Sequence, residues 1–477
     1  MRAGRWGRPA GRRTSCSWAS RPTWGGCSDP APAVTVPREL ARVLTLRDLV
    51  LIVVGTTIGS GIFTVPGAVL RQSGGDLGVA LVVWVVGSVL ALLGALTFGE
   101  LGAMLPDAGG SYVYVREAFG SLPAFLLGWA LFLAINTVST ATLAVAFANY
   151  LGELVPLPPA AHDFAAVAMI AAVAAVNIRG VRHAASVQNW STGLKVAAIL
   201  ALAAAGFALG DGFHGTGTRA FITPLSLALL SAAGVALLGV LWAYEGWQNV
   251  TNSAGEARDP QRTFARGIGL GTAALVAIYL TANAGYVAAL GAAGVAATDR
   301  VAADVVRTLF GSDAARVVTL VILVSIFSAA NGLALTGPRM YFAMARDGVF
   351  FRSLADVHPR FGTPALAVAV SALWAMLLAV SGTFEQLFTY VVFASWIFAA
   401  LAAASVFVLR RRRPDAPRPF RVPGYPVTPA LFIAAAAAIV GNTIVARPAQ
   451  ALIGLGIVAT GVPAYFTWTW HRRRRRE

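Results

Sequence analysis

Gly55-Thr56-Thr57-Ile58-Gly59-Ser60-Gly61-Ile62-Phe63, followed by Pro66-Gly67, interrupts an apolar run that extends over 48–71. A run of that length spans a bilayer core, which takes about 20 residues. Glycine and serine are poor helix formers, so the middle of this span is where a helix is weakest. Irregular backbone survives at membrane depth only where protein or water satisfies its hydrogen bonds. Two readings follow. Either the helix is unwound here around a site, or the small residues let another helix pack closely.

A second interruption favours the first reading. The sixth apolar run, 225–252, contains Trp242-Ala243-Tyr244-Glu245-Gly246-Trp247-Gln248-Asn249, with Asn252 and Glu256 beyond. A carboxylate, a glycine and amides at this depth are costly unless they face a cavity or a partner. Breaks at corresponding positions of two halves point to an inverted-repeat transporter site. Spans one to five and six to ten form the repeats, with two spans appended; the repeat rests on the breaks alone. Unwinding at Gly59-Ser60-Gly61 frees N–H groups that, with the helix dipole, favour a carboxylate. The second break frees carbonyls around Trp242, Ala243 and Glu245 that can accept from an ammonium. An α-amino acid carries both groups on one carbon.

The rest of the chain fits a polytopic membrane protein. Of 477 residues 57% are apolar and 12% charged, with a mean hydropathy of +0.69. Soluble domains carry about 25% charge. Hydropathy predicts about twelve spans: 48–71, 79–105, 124–151, 163–178, 191–209, 225–252, 267–290, 315–345, 364–381, 386–409, 428–446 and 450–470. None shows the short polar–apolar alternation of membrane strands, so the fold class is an all-α integral membrane protein. With a cytoplasmic N-terminus, 31 of the 37 basic residues fall inside and 6 outside, which places both termini in the cytoplasm. The net charge of +16 lies in short clusters between apolar runs and implies no nucleic-acid partner. Residues 1–45 read as a disordered basic tail without a signal peptide. A transport core (46–410), a basic cytoplasmic loop (411–427), two further spans (428–471) and a basic C-terminus (472–477) complete the organisation. Cys16 and Cys27 both lie in the tail, so the membrane part has no disulfide framework or thiolate metal site. His162, His183, His214, His358 and His471 fall in or beside loops without metal-ligand spacing. No metal or other cofactor is expected.

The motifs resemble the amino acid–polyamine–organocation superfamily, and within it the L-type amino-acid transporter branch and its bacterial relatives. Gly59-Ser60-Gly61-Ile62-Phe63 resembles that family's carboxylate motif. Glu100-Leu101-Gly102-Ala103-Met104-Leu105-Pro106-Asp107-Ala108-Gly109-Gly110-Ser111-Tyr112-Val113-Tyr114 is similar to its signature between spans two and three. Trp242 to Trp247 sits at its aromatic gate, and Pro419-Phe420-Arg421-Val422-Pro423 resembles its loop before span eleven. The resemblance implies a five-plus-five, LeuT-like inverted repeat with broken helices one and six. It implies that Thr57, Gly59, Ser60 and Gly61 line the carboxylate and amine end of the substrate. Trp242 would be the lid, gating with Tyr244, while Ala243 and Glu245 supply backbone carbonyls. Glu245 stands where relatives have glycine, and its side chain is not assigned to substrate. Animal relatives use a cysteine between spans three and four to bind an accessory subunit. Residues 152–163 contain none, so no disulfide-linked subunit is expected.

Lys195, the only lysine, lies near the expected cytoplasmic end of span five. One reading is a side chain that snorkels to the interface. The other follows from the resemblance: a lysine at this place reaches the unwound first helix, occupying the position of a sodium ion in sodium-coupled relatives. It would then donate to carbonyls around Gly55, Thr56 and Gly59. Ser325, Ser328 and Asn331 form a polar stripe in span eight that either lines the permeation path or bonds between helices. Asn136, Thr137, Ser139 and Thr140 invite the same two readings. A membrane-embedded enzyme would need a cluster of nucleophile, base or metal ligands, and none is evident. A channel usually builds its filter by oligomeric symmetry, whereas this chain supplies two breaks itself. The expectation is therefore a secondary transporter of L-amino acids in the plasma membrane, working by alternating access without sodium. The cycle is exchange, or symport with protons as a further partner; polyamines or other small organic amines are the alternative substrates.

Overall fold

A computed structural model describes residues 40–212, 221, 223–224, 226–381, 384–446 and 448–474. Residues 1–39 with Cys16 and Cys27, as well as His214, lie outside the described residues. The first span is two helices, α1 (Leu46–Thr57) and α2 (Gly61–Gln72), bent by 50° at the intervening break. After α3 (Leu77–Met104) come α4 (Ser111–Phe119) and α5 (Ser121–Ala130), which a π-helical turn at Leu131–Ile135 joins to α6 (Asn136–Leu154). Next are α7 (Pro159–Ile178), α8 (Val181–Leu209) and α9 (Leu227–Ala243). A 3₁₀ stretch, Trp247–Glu256, completes the sixth span. The remaining helices are α10 (Pro260–Ala296), α11 (Val301–Phe310), α12 (Ser312–Arg346), α13 (Ala365–Ser381), α14 (Phe384–Arg412), α15 (Val427–Ala446) and α16 (Pro448–Arg474).

Among the described residues there is no strand, only an isolated bridge between Leu44 and Ala257. Ten helical segments among the described residues are long and apolar enough to cross a membrane, and the bent pair α1–α2 makes an eleventh. The expected ninth span is α13, shorter at 17 residues. The bundle is apolar on the outside: Leu81, Val82, Val85, Val86 and Val89 of α3 are exposed, as are Leu452, Ile453 and Leu455 of α16. Its interior holds Glu100, Lys195, Glu256 and Arg339. That distribution suits a hydrocarbon solvent, where charges turn inward to partners.

Local chemistry sets the helix ends. Thr45 and Asp48 form a capping box at α1, so two donors that the helix leaves unpaired are satisfied reciprocally. Asp76 caps α3 by accepting from Gly78 and Val79. Several boundaries differ from the hydropathy reading. Helix α8 begins at Val181 rather than near 191, because polar Arg182, His183, Gln188 and Asn189 extend the helix without adding hydropathy. Helices α4 and α11 are short and carry Arg116–Glu117 and Asp304–Arg307, so neither shows as an apolar run. Residues 40–44, assigned to the tail, are held in place. Val43 and Leu44 N–H donate to Glu256 O at 2.8 and 2.9 Å, and Arg258 N–H donates to Leu44 O at 2.8 Å. Residues 40–44 are therefore not part of a disordered tail.

Helix α1 runs through the middle of the bundle, against α8, α10 and α12, while α9 packs on α2 and α3. Both broken spans are therefore central, and their breaks meet.

Candidate functional site

Helix α1 makes its last helical bond from Ile58 N–H to Val54 O, and Ile58 itself is extended at φ −71°, ψ 90°. Chain direction recovers at Ser60, and α2 starts at Gly61. The first-turn N–H groups of Gly61 and Ile62 have no acceptor within the helix, which leaves donors and a positive dipole end at the break. In the sixth span, α9 ends at Ala243 and the chain turns through Gly246 at φ +125°. A Cβ on Gly246 would stand 3.0 Å from Thr56 O, so both the backbone angle and the approach of the two breaks require glycine there.

Between the breaks lies a narrow cavity of about 40 Å³. Thr57, Gly59, Ser60 and Gly61 line one side, and Trp242 and Glu245 the other. Asn136 and Ser139 of α6, left unassigned from sequence, face it as well. So does Asn249. The Thr57 hydroxyl donates back to Val53 O at 2.8 Å, whereas the buried Thr56 hydroxyl has no hydrogen-bond partner within the protein. Helix α6 starts directly after the π-helical turn, a feature often found at functional sites, and Thr137 donates to Phe132 O at 2.6 Å across it.

The carbonyls of the breaks are only partly free. Lys195 Nζ donates to Gly55 O at 2.7 Å and to Ile58 O at 2.5 Å. Its side chain is fully buried in mid-helix, so it does not snorkel to an interface. Ser325 Oγ lies 3.2 Å from Ile58 O and 3.3 Å from Gly59 O. Ser328 and Asn331 bond between helices instead, to Ser191 and to Gln188 and Asn177. Tyr279, which the sequence did not single out, donates to Ala243 O at 2.8 Å and lies 3.3 Å from Thr57 O. The Ala243 carbonyl, expected to meet an ammonium, thus already has a donor. Tyr244 turns away from the cavity: its hydroxyl pairs with Ser88 at 2.7 Å and its ring packs on Trp84 and Tyr279. The Glu245 carboxylate accepts from Gln248 Nε2.

Beyond the breaks, Arg339 of α12 makes two hydrogen bonds to Glu256, at 2.9 and 3.2 Å, with both side chains fully buried. Arg116 pairs with Asp347 and Glu117, and Arg413 with Glu117, linking α4 to the ends of α12 and α14. Burial alone would raise the Glu117 carboxyl, but hydrogen bonds from Arg116 and Arg413 outweigh it and hold the group below its usual range. No group of three or more His, Cys, Asp or Glu side chains suited to a metal occurs among the described residues. The site offers hydrogen bonds and a dipole, the equipment for holding a zwitterion.

Comparison with known proteins agrees with that chemistry. The family described as amino acid permease matches residues 44–466. The chain is 30% identical over 435 residues to the serine/threonine exchanger SteT of Bacillus subtilis, covering 91% of this chain and 98% of that protein. It is 32% identical over 451 residues to the human cystine/glutamate transporter, covering 92% and 87%. It is 31% identical over 458 residues to the human large neutral amino acids transporter small subunit 2, covering 93% and 84%.

Proposed function

We propose a transport cycle from this premise: the chain belongs to the amino acid permease family. It moves L-amino acids across the plasma membrane by alternating access. The observation that carries this reading is the cavity between the two breaks. In it the start of α2 faces a carboxylate, and the break of the sixth span, with Thr56, Asn136 and Ser139, faces the ammonium. Trp242 is the lid over it. The cycle is sodium-independent, because the Lys195 ammonium already occupies the Gly55 and Ile58 carbonyls that a coupling cation would use. The relative SteT is named a serine/threonine exchanger, which supports exchange. The proposed cycle needs no disulfide-linked second polypeptide.

One reconstitution tests these points together. Purified chain in proteoliposomes is expected to take up labelled amino acids from a panel of the twenty. Uptake should be stimulated by unlabelled amino acid inside and unchanged when potassium replaces sodium outside. Sodium-stimulated uptake would remove the role given to Lys195, and strict dependence on a second polypeptide would remove the single-chain reading.

Twelve spans, a five-plus-five inverted repeat and cytoplasmic termini belong to the same proposal. They are supported by the 31-to-6 distribution of basic residues and by the broken first and sixth spans. In a background with Cys16 and Cys27 replaced by serine, Gly215→Cys is expected to react with an impermeant reagent from outside, and Arg413→Cys is not. The reverse pattern contradicts the topology.

A further inference from the structure

A second narrow cavity, of about 40 Å³, adjoins the first and shares Ile135 and Asn249 with it as a common wall. It lies along the 3₁₀ stretch that leaves the break at Gly246 and ends at Glu256, beside the segment that leads into α1. The Asn252 carbonyl, part of that stretch, accepts from Gly109 N–H in the loop between α3 and α4. In the topology proposed above, this whole region is the cytoplasmic half of the protein. The second cavity therefore stands in series with the first, toward the cytoplasm.

Its lining has two chemistries. Phe98, Leu131, Met340 and Phe398 present apolar surface. Against them stands Asn252, a residue 3% exposed whose Oδ1 has no hydrogen-bond partner within the protein. A buried acceptor without a donor is a destabilising feature that native structures keep for a reason. Gln248 also lines this cavity and donates to the Glu245 carboxylate in the first, so one hydrogen bond spans the wall between them. An acceptor beside an apolar wall, with Ser111 and Ser395 also in the lining, suits a molecule with an ammonium and a carbon side chain.

We propose that the second cavity is a cytoplasmic-side subsite for the transported amino acid, reached past Asn249 and Ile135, in which Asn252 Oδ1 accepts from the substrate ammonium. The inference rests on the transport reading given above. It makes the two faces of the transporter unequal: substrate arriving from the cytoplasm meets Asn252 before the breaks, and substrate from outside meets it after them.

The test is a pair of KM values for the full chain, measured as exchange flux from each face of membrane vesicles of known orientation. Asn252→Leu removes the acceptor at nearly constant volume. Loss of one hydrogen bond to a charged group should raise the ratio of cytoplasmic-side to external-side KM about fivefold or more. Ala399→Leu, which fills the same cavity from α14, should move the ratio in the same direction and carries the test if Asn252→Leu does not fold. An unchanged ratio in the folded variants would mean a water-filled passage only and would overturn the subsite. Absence of exchange by the unmodified protein would fell the transport reading itself, a distinguishable outcome.

Discussion

Lys195→Ala is expected to lower amino-acid transport by about two orders of magnitude while the protein still reaches the membrane. The ammonium ties Gly55 O to Ile58 O across the end of α1, and it holds the break in one shape. Hydrogen bonds to a charged donor contribute about 1.5–3 kcal/mol each, and 1.4 kcal/mol is a tenfold change in an equilibrium. Folding should suffer less than transport, because alanine also removes a buried ammonium that pairs with no carboxylate among the described residues. Lys195→Arg separates charge from fit. The helices are close here, since a Cβ on Gly55 would stand 2.1 Å from both Gln188 and Thr192, and a planar guanidinium has no room between them. Arginine should therefore fail as alanine does. Surface expression and a monodisperse elution profile control for folding; a fully active alanine variant would refute the role.

Gly61→Val should be comparably severe, for a different reason. A Cβ at Gly61 would stand 2.9 Å from the Ala243 Cα and 3.0 Å from its Cβ, so any side chain pushes the two breaks apart. Overpacking of this kind costs about 1–3 kcal/mol, and here the strain falls on the cavity walls. Uptake should drop at least about tenfold, with a lower melting temperature in detergent. Gly59→Ala is the informative partner. Its Cβ would stand 3.4 Å from Leu143 and 3.6 Å from Ala329, ordinary contacts that need no displacement. It should keep the wild-type melting temperature and weaken substrate affinity through bulk alone. Normal transport by Gly61→Val would show that the close approach of the breaks is unnecessary.

The sequence posed packing and unwinding at Gly59-Ser60-Gly61 as alternatives; in the structure Gly61 serves both. The two breaks were legible because glycine, serine and a carboxylate in apolar runs conflict with a continuous membrane helix. Lys195 was legible as a lone cation in such a run, but its depth was not, since polar residues at the start of α8 hid its first ten residues, 181–190, from hydropathy. The Glu256–Arg339 pair was not legible: its partners come from different spans, and side-chain pairing across a bundle leaves no local pattern. Tyr279 is similar. A tyrosine in an apolar helix looks like core until α9 and α1 are placed beside it. The facing of Asn136 and Ser139 depended on the π-helical turn, which rotates α6 and leaves no local signature in the sequence.

The hydrogen bonds between residues 43–44 and 256–258 work as a yoke. The first half of the first span hangs from Leu44, and the second half of the sixth span ends at Glu256. Swinging α1 outward by itself has to break three backbone hydrogen bonds, each contributing about 0.5–1.5 kcal/mol. Carrying Trp247–Glu256 along breaks none of them, but it drags on Arg339 and so on α12. The low-energy stroke is therefore a tandem one. Two levers on either side of the cargo swing together, and a single buried ion pair sets how far they travel before the next helix resists.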